Sequence, residues 1–313
     1  DGKNTPVNYV LVPKSSNLKA DVVLAQNAIG QTETMKGLAQ RTSAKAAING
    51  SYFQNYDSTK SQDPYGILIK NGNLIHAEGT GSTIGFTKTG SVKMDIVRSA
   101  VTATAGGTVY NVSLVNHTPA ADSNTVVLYT SAYGKSTDYA AGTSLVVQNG
   151  EVVSVISKKA ANIPDNGYVL LFTGNKAASA DALKKGTKVS YHVGYTNQAG
   201  AKLDWSDVRT AVGAGPMLLK DGKNIANPAK EGFGDSAGFD LAVARSAVGV
   251  TSSGDILLVA GVKCTLNQMA EVMRQLGAVH AICMDSGSSS GLYVPGHTLP
   301  TPGKEISNIL IFK

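Results

Sequence analysis

The chain has 313 residues, 42% hydrophobic and only 16% charged, and its 28 Lys and Arg against 22 Asp and Glu leave a formal charge of +6. Such a length buries a large core and suits one elaborate domain or two fused subdomains. The basic residues form no run and the aromatics are scattered, which argues against nucleic acid as a partner, and no apolar stretch is long enough for a transmembrane segment or a secretory h-region.

Taken in chain order, the pattern is mostly short strands. The first residue is Asp1 rather than Met, as expected of a processed or trimmed product. Strands are predicted at 8–12 and 21–25, then a helix at 32–42 with Met35, Leu38 and Ala39 inward, then a buried strand at 46–49 that ends in Asn49-Gly50. Asn71-Gly72, Asn149-Gly150 and Asp221-Gly222 each sit between apolar runs and read as hairpin turns. Further strands are predicted at 82–86, 126–129, 144–148, 168–173 and 188–195, with a short helix at 178–185 started by Asp181 and stopped by Gly186. The stretch from about 91 to 197 carries little chemistry and is read as a β-rich subdomain framing a cleft within a single domain over 1–313. The fold class is α+β, with strand-rich mixed sheets and few helices.

The most informative stretch is 245–294. A strand at 255–260 leads to a helix at 265–277, where Thr265 and Gln268 form a capping-box signature, Leu266, Met269, Val272, Met273 and Leu276 share one face, and Gly277 is the stop. The run 278–284, apolar but for His280, is a buried strand delivering Asp285 at its C-terminal end. If helix and strand pack antiparallel, the helix N-terminus faces the 285–291 loop and could favour an anion, and Cys264 approaches Cys283. The two cysteines allow one disulfide in an oxidising compartment or two buried thiols. The helix at 32–42 followed by the strand ending at Asn49 repeats the logic of the helix at 265–277 followed by the strand ending at Asp285, so the two units are expected to converge on one cleft. A last strand is predicted at 306–312.

Several motifs have two readings. The 287–291 run matches G-x-S-x-G, but 292–296 reads as strand and turn rather than helix, and His297 precedes Glu305, the sole downstream acid, so a nucleophile elbow at Ser289 is rejected. The loop is instead a set of N–H and hydroxyl donors from Ser288 and Ser289, or a plain polar turn. Gly213 to Pro216 lacks a dinucleotide fingerprint and brings backbone near a ligand or forms a Gly-Pro turn. Arg245 is an anion clamp or a structural strand residue, and Asn49 hydrogen-bonds a ligand or the protein's own backbone. The five histidines are isolated, which argues against zinc. No cofactor is required by the sequence, although a divalent cation such as calcium, held by Asp and carbonyl oxygens, has room.

At these residues the chain resembles the phosphodiester glycosidases, typified by the enzyme that uncovers mannose 6-phosphate by removing N-acetylglucosamine from a sugar phosphodiester. RSAVGV, TLNQMAEVMRQLGA and MDSGSSS match the family's strand, helix and Asp-Gly-rich loop, and AAINGSYF at 46–53, PYGILIKNGNLI at 64–75 and AVGAGPMLLKDGK at 211–223 match its earlier segments in order. Ser286 and Ser288 stand where the family usually has glycine, and Ser246 where Thr is usual. The resemblance implies a phosphodiester glycosidase-like fold and a hydrolase cleaving a sugar 1-phosphodiester at the anomeric carbon in a cell-surface glycan, teichoic-acid-like polymer or exopolysaccharide. The alternatives are a phosphodiesterase attacking phosphorus and a non-catalytic glycan-binding relative. Its partner would be a phosphorylated glycan or cell-wall polymer, and the low-charge, Thr-, Ser- and Gly-rich composition suits a secreted or cell-surface bacterial protein. Residue reading and resemblance together give Asp285, Asn49 and Arg245 as candidate catalytic residues and Gly50, Gly215, Gly287, Ser288 and Ser289 as substrate-binding ones. Glu78, Asp235 and Asp240 are candidates for a second carboxylate.

Overall fold

Short runs of Val, Ile, Leu and Thr between turn residues pair into five sheets in the computed structural model, which describes residues 6–55, 61–79, 81–234 and 238–313. The first sheet orders Asn8–Val12, Ile256–Cys264, Val243–Thr251, Ala278–Cys283, Met217–Lys220 and Lys223–Asn224, every neighbour antiparallel. The second orders Ala20–Leu24, Asn308–Phe312, Ala46–Asn49, Leu292–Val294 and His297–Thr298. The third, containing Leu68–Lys70 and Val208–Gly213, completes the frame around the site. The remaining two sheets, whose strands lie between Val97 and Asn197, include the one parallel pair among the described strands, Leu114–Val115 with Val126–Thr130. Their Val127, Tyr129 and Leu171 share a core with Ile48, Ile84, Val248 and Leu310, so packing runs on between this region and the rest.

The best-specified helix is Leu266–Gln275. Thr265 accepts the Gln268 N–H and the Gln268 side chain accepts the Thr265 N–H, closing a capping box, while Leu266, Met269, Ala270 and Met273 are buried against Leu218, Leu257, Val259 and Ala281. Truncating a fully buried Met there costs about 2–5 kcal/mol. The first helix, Met35–Arg41, is shorter than 32–42 because Thr34 caps it, accepting the Gly37 N–H. The helix expected at 178–185 is a correction: only Ala177–Ala180 is α-helical, with no capping side chain and only Ala180 buried, and Asp181 follows its end rather than starting it. Ile256–Cys264 runs past 260 because the edge register with Val243–Thr251 continues to Val243 opposite Cys264, after a bulge between Arg245 and Ser246.

Candidate active site

The two helix–strand units meet. Ala46–Asn49 and Ala278–Cys283 end side by side, and the Asn49 amide clips the loop that follows Cys283: its Nδ2 donates to the Asp285 carbonyl at 2.7 Å and its Oδ1 accepts the Gly291 N–H at 3.0 Å. Asp285 N–H donates to the Gly50 carbonyl at 3.2 Å, and Met284 N–H to the Ser246 carbonyl at 2.8 Å. Gly50 itself is wedged against Asn308, where an added Cβ would fall 1.8 Å from Oδ1, so only glycine allows this approach. Asn308 closes the ring by accepting the Ser51 N–H at 3.1 Å and donating to the Ser51 and Ser307 hydroxyls.

Within this frame Asp285 is buried and its carboxyl is pushed up to about 6, chiefly by loss of solvent. The Ser289 hydroxyl, the Lys304 ammonium and the Ser286 N–H oppose that shift; the last donates to Oδ1 at 2.8 Å. Ser289 Oγ faces the carboxylate but is buried without a partner at hydrogen-bonding geometry, as is the neighbouring strand's Ser246 Oγ. Tyr52 donates its phenol proton to the Gly215 carbonyl at 2.9 Å, and burial, then the nearby Cys283 and Asp285, raise its pKa far above the ordinary range. Lys304, 4.7 Å over the Phe53 ring, supplies a cation on the same side. Both cysteines are buried free thiols; burial raises Cys283 and pushes Cys264 to about 11, so neither is a thiolate at neutral pH.

The other expected residues fall into two groups. Arg245, 1% exposed, does not present its fork as an anion clamp: Nε donates to the Cys264 carbonyl at 3.1 Å and Nη2 to those of Phe239 and Leu241 at 2.8 Å each. Asn49 and Gly50 likewise have their polar groups satisfied by the protein, because a strand end buried between two others must pair its own backbone first. Gly215 N–H donates to the Cys283 carbonyl at 2.9 Å; its φ of 94° and the Ser82 N and Glu231 Oε2 that would lie 2.7 and 2.8 Å from a Cβ both require glycine. By contrast Gly287 has open space on its Cβ side, Ser288 is exposed with its carbonyl accepting the Gly303 N–H, and Ser289 turns toward Asp285. Of the three further carboxylates, Glu78 is partly buried and pushed to about 7 by burial and by Asp63, Asp240 is exposed, and Asp235 lies outside the described residues.

Several polar residues here escape sequence reading. Tyr52 and Lys304 carry no motif of their own, although Tyr52 stands inside the matched AAINGSYF segment. Glu231 is buried under the Gly215 turn and accepts the Met217 N–H at 2.6 Å. A second cluster lies across Tyr65, whose N–H donates to the Tyr52 carbonyl: His76 Nδ1 is 2.7 Å from the Gly66 carbonyl, its Nε2 is 3.3 Å from His117 Nδ1, and that atom is 3.7 Å from Asp63. Burial lowers the pKa of both imidazoles. Nothing in the spacing of residues 63, 76 and 117 signals this grouping, since it is made by three separate chain segments. Among the described residues no three His, Cys, Asp or Glu side chains are arranged to hold a metal ion.

The sequence profile of the phosphodiester glycosidase family matches residues 141–313. A hypothetical protein from Synechocystis superposes with a TM-score of 0.86 at 26% identity over 98% of this chain, which spans 59% of the length of that one. A putative exported protein from Burkholderia pseudomallei K96243 gives 0.81 at 24% identity, covering 98% of this chain and 73% of that. The zebrafish N-acetylglucosamine-1-phosphodiester alpha-N-acetylglucosaminidase catalytic domain, auto-inhibited by its pro-peptide, gives 0.51 at 13% identity, covering 99% and 84%, and like the Burkholderia structure speaks to the fold alone. No curated protein matches the chain.

Proposed function

Because this chain belongs to the phosphodiester glycosidase family, we propose that it hydrolyses a sugar 1-phosphodiester at the anomeric carbon, outside the cell, in a surface glycan, teichoic-acid-like polymer or exopolysaccharide. The observation that carries the reading is the buried Asp285 carboxyl in the loop clipped by Asn49, held by burial near 6 with the Ser289 hydroxyl and the Lys304 ammonium opposing that shift. In such a reaction water adds its oxygen to C1 and gives up a proton to a carboxylate, the bond between C1 and the bridging oxygen breaks, and its electron pair leaves on that oxygen with the phosphomonoester, through an oxocarbenium-like state. A phosphomonoester departs readily, so the demand on the protein is less for a strong acid than for donors around the departing oxygens.

Asp285 serves that state as nucleophile, base or electrostatic stabiliser, and Lys304, the Ser289 hydroxyl and the N–H groups of Gly287 and Ser288 hold the leaving phosphate. Glu78, near 7, is the second carboxyl that this scheme can use to exchange a proton with water. Asn49, Gly50, Gly215 and Arg245 act as positioning residues through the bonds given above. A calcium ion on these oxygens is not needed by any step in the scheme.

The test is hydrolysis of a soluble sugar 1-phosphodiester in ¹⁸O-labelled water. Label in the released sugar is expected; label in the phosphate would replace the proposal with attack at phosphorus. If no sugar phosphodiester is turned over while the intact chain still binds phosphorylated glycan, the protein is a binding relative, a reading that the exposed Ser288 in place of the family's usual glycine favours.

A further inference from the structure

A cavity of about 970 Å³ lies apart from the site, and Asp285 is not among the residues that line it. It is lined by the opposite ends of the strands that build the site: Arg209 lies at the start of Val208–Gly213, whose other end leads to Gly215, and Phe312 ends the strand whose start, Asn308, brackets Gly50, with Lys313 directly after it. Four residue steps of strand put the two poles roughly 13 Å apart. The cavity has an apolar floor that includes Leu24, Phe86 and Phe312, and a rim carrying Lys14, Lys19, Lys70, Lys88, Arg209 and Lys313. Arg41 also lines it, and Asp21 is the single acid among its lining residues, so the balance there equals the whole +6 excess of the chain.

Local partners cancel only part of this charge. Asp21 is shared by Lys70 at 2.7 Å and Lys313 at 3.0 Å, and Arg41 is held by Glu33 at 3.0 Å. Lys14 lies beside Asp255, which accepts its backbone N–H. Lys19, Lys88 and Arg209 have no acidic partner within 4.0 Å among the described residues. Like charges gathered in one concavity repel each other and focus a field that attracts anions. Both aromatic rings of the lining are buried in the floor, so no stacking platform for bases exists, and most of the cations are lysines, point charges suited to phosphate rather than to base edges.

We propose that this cavity is a second, non-catalytic site for a phosphate-bearing polyanion, namely a remote stretch of the phosphodiester-linked polymer that Asp285 cleaves; the identity of that polymer rests on the proposed function, the anion site itself does not. Holding the chain at the far pole raises the local concentration of its cleavable units at Asp285.

The probe is inorganic tripolyphosphate, titrated against the full chain by calorimetry at several salt concentrations. Saturable, salt-dependent binding is expected, and the triple variant Lys19→Gln/Lys88→Gln/Arg209→Gln should bind at least about tenfold more weakly, with the slope of log K against log salt reduced by about one per charge removed. Unfolding curves of the variant check that it folds. On a short sugar phosphodiester it should keep the wild-type kcat/KM, and on a long polymer it should lose it by a similar factor. Equal tripolyphosphate binding by wild type and variant overturns the site; tighter capture of a single-stranded oligonucleotide of equal charge overturns the ligand class. Asp285→Asn should bind tripolyphosphate as wild type does; if the wild-type chain hydrolyses no sugar phosphodiester yet keeps this charge-dependent binding, the hydrolase reading falls and the anion site stands.

Discussion

The two helix–strand units that meet at the site differ in one atom of chemistry. Each buries a strand that leads into a polar residue, yet Asn49 is satisfied on both sides by backbone, whereas Asp285 keeps a carboxylate with one N–H donor, a hydroxyl out of bonding geometry and the field of the Lys304 ammonium. An amide offers a donor and an acceptor and can close a gap between a carbonyl and an N–H; a carboxylate only accepts, and in a buried place it is left short of partners. The first unit therefore builds the frame and the second holds the reactive charge. The Asn308 ring shows how much of the frame is devoted to this, since Gly50, Ser51, Ser307 and Asp285 are all fixed through it.

Exchanging the chemistry of the two ends should break that contrast most sharply at Asp285. Asp285→Asn should lower kcat on a sugar 1-phosphodiester on the order of 10³-fold while leaving substrate binding within a few-fold, as single-turnover assays and calorimetry would show; a variant that still turns over at near the wild-type rate removes Asp285 from the chemistry. Asn49→Ala leaves the Asp285 carbonyl and the Gly291 N–H buried without partners, a loss of roughly 2–5 kcal/mol in urea unfolding. Asn49→Asp should be no better, because it replaces the donor to the Asp285 carbonyl with a second buried anion.

The pH dependence sharpens the same point from the side of stability. The folded Asp285 carboxyl, near 6, lies above its ordinary value of 3.8, so the unfolded chain gives up this proton first and stability falls as pH rises between about 4 and 6. Above that window the native state carries the full penalty, roughly 3 kcal/mol, and Asp285→Asn should be more stable than wild type by up to that amount at pH 7.5 and equal to it below pH 4. Thermal unfolding of both proteins at the two pH values decides this; a gap that does not change with pH would mean that the side chain is solvated. The smallest effect expected is that of Tyr52→Phe, which removes one hydrogen bond to the Gly215 carbonyl and should cost about 1 kcal/mol, with a modest fall in kcat/KM.

The elements around Asp285 were legible because their signals are local. The capping box at Thr265 and the apolar face through Met273 define one helix, and the run ending at Cys283 delivers one carboxylate, wherever the rest of the chain goes. The roles of Arg245 and Asn49 were not legible, because a donor's partner is a carbonyl on another strand and no residue type announces it. The short helix at Ala177–Ala180 was overread from Asp181 and Gly186, boundary residues that serve equally well in turns.

Taken alone, the sequence determined the strand-rich class, the main capped helix, the family resemblance and the acid at 285, all of which follow from periodicity and residues adjacent in the chain. Tertiary structure alone decided which polar groups pair with the protein and which are left over: Tyr52 and Lys304 beside Asp285, the Asp63, His76 and His117 group, and the basic cavity at the opposite pole. The physical reason is that hydrogen-bond satisfaction, desolvation and field focusing depend on distances across strands, which antiparallel register fixes and chain order does not.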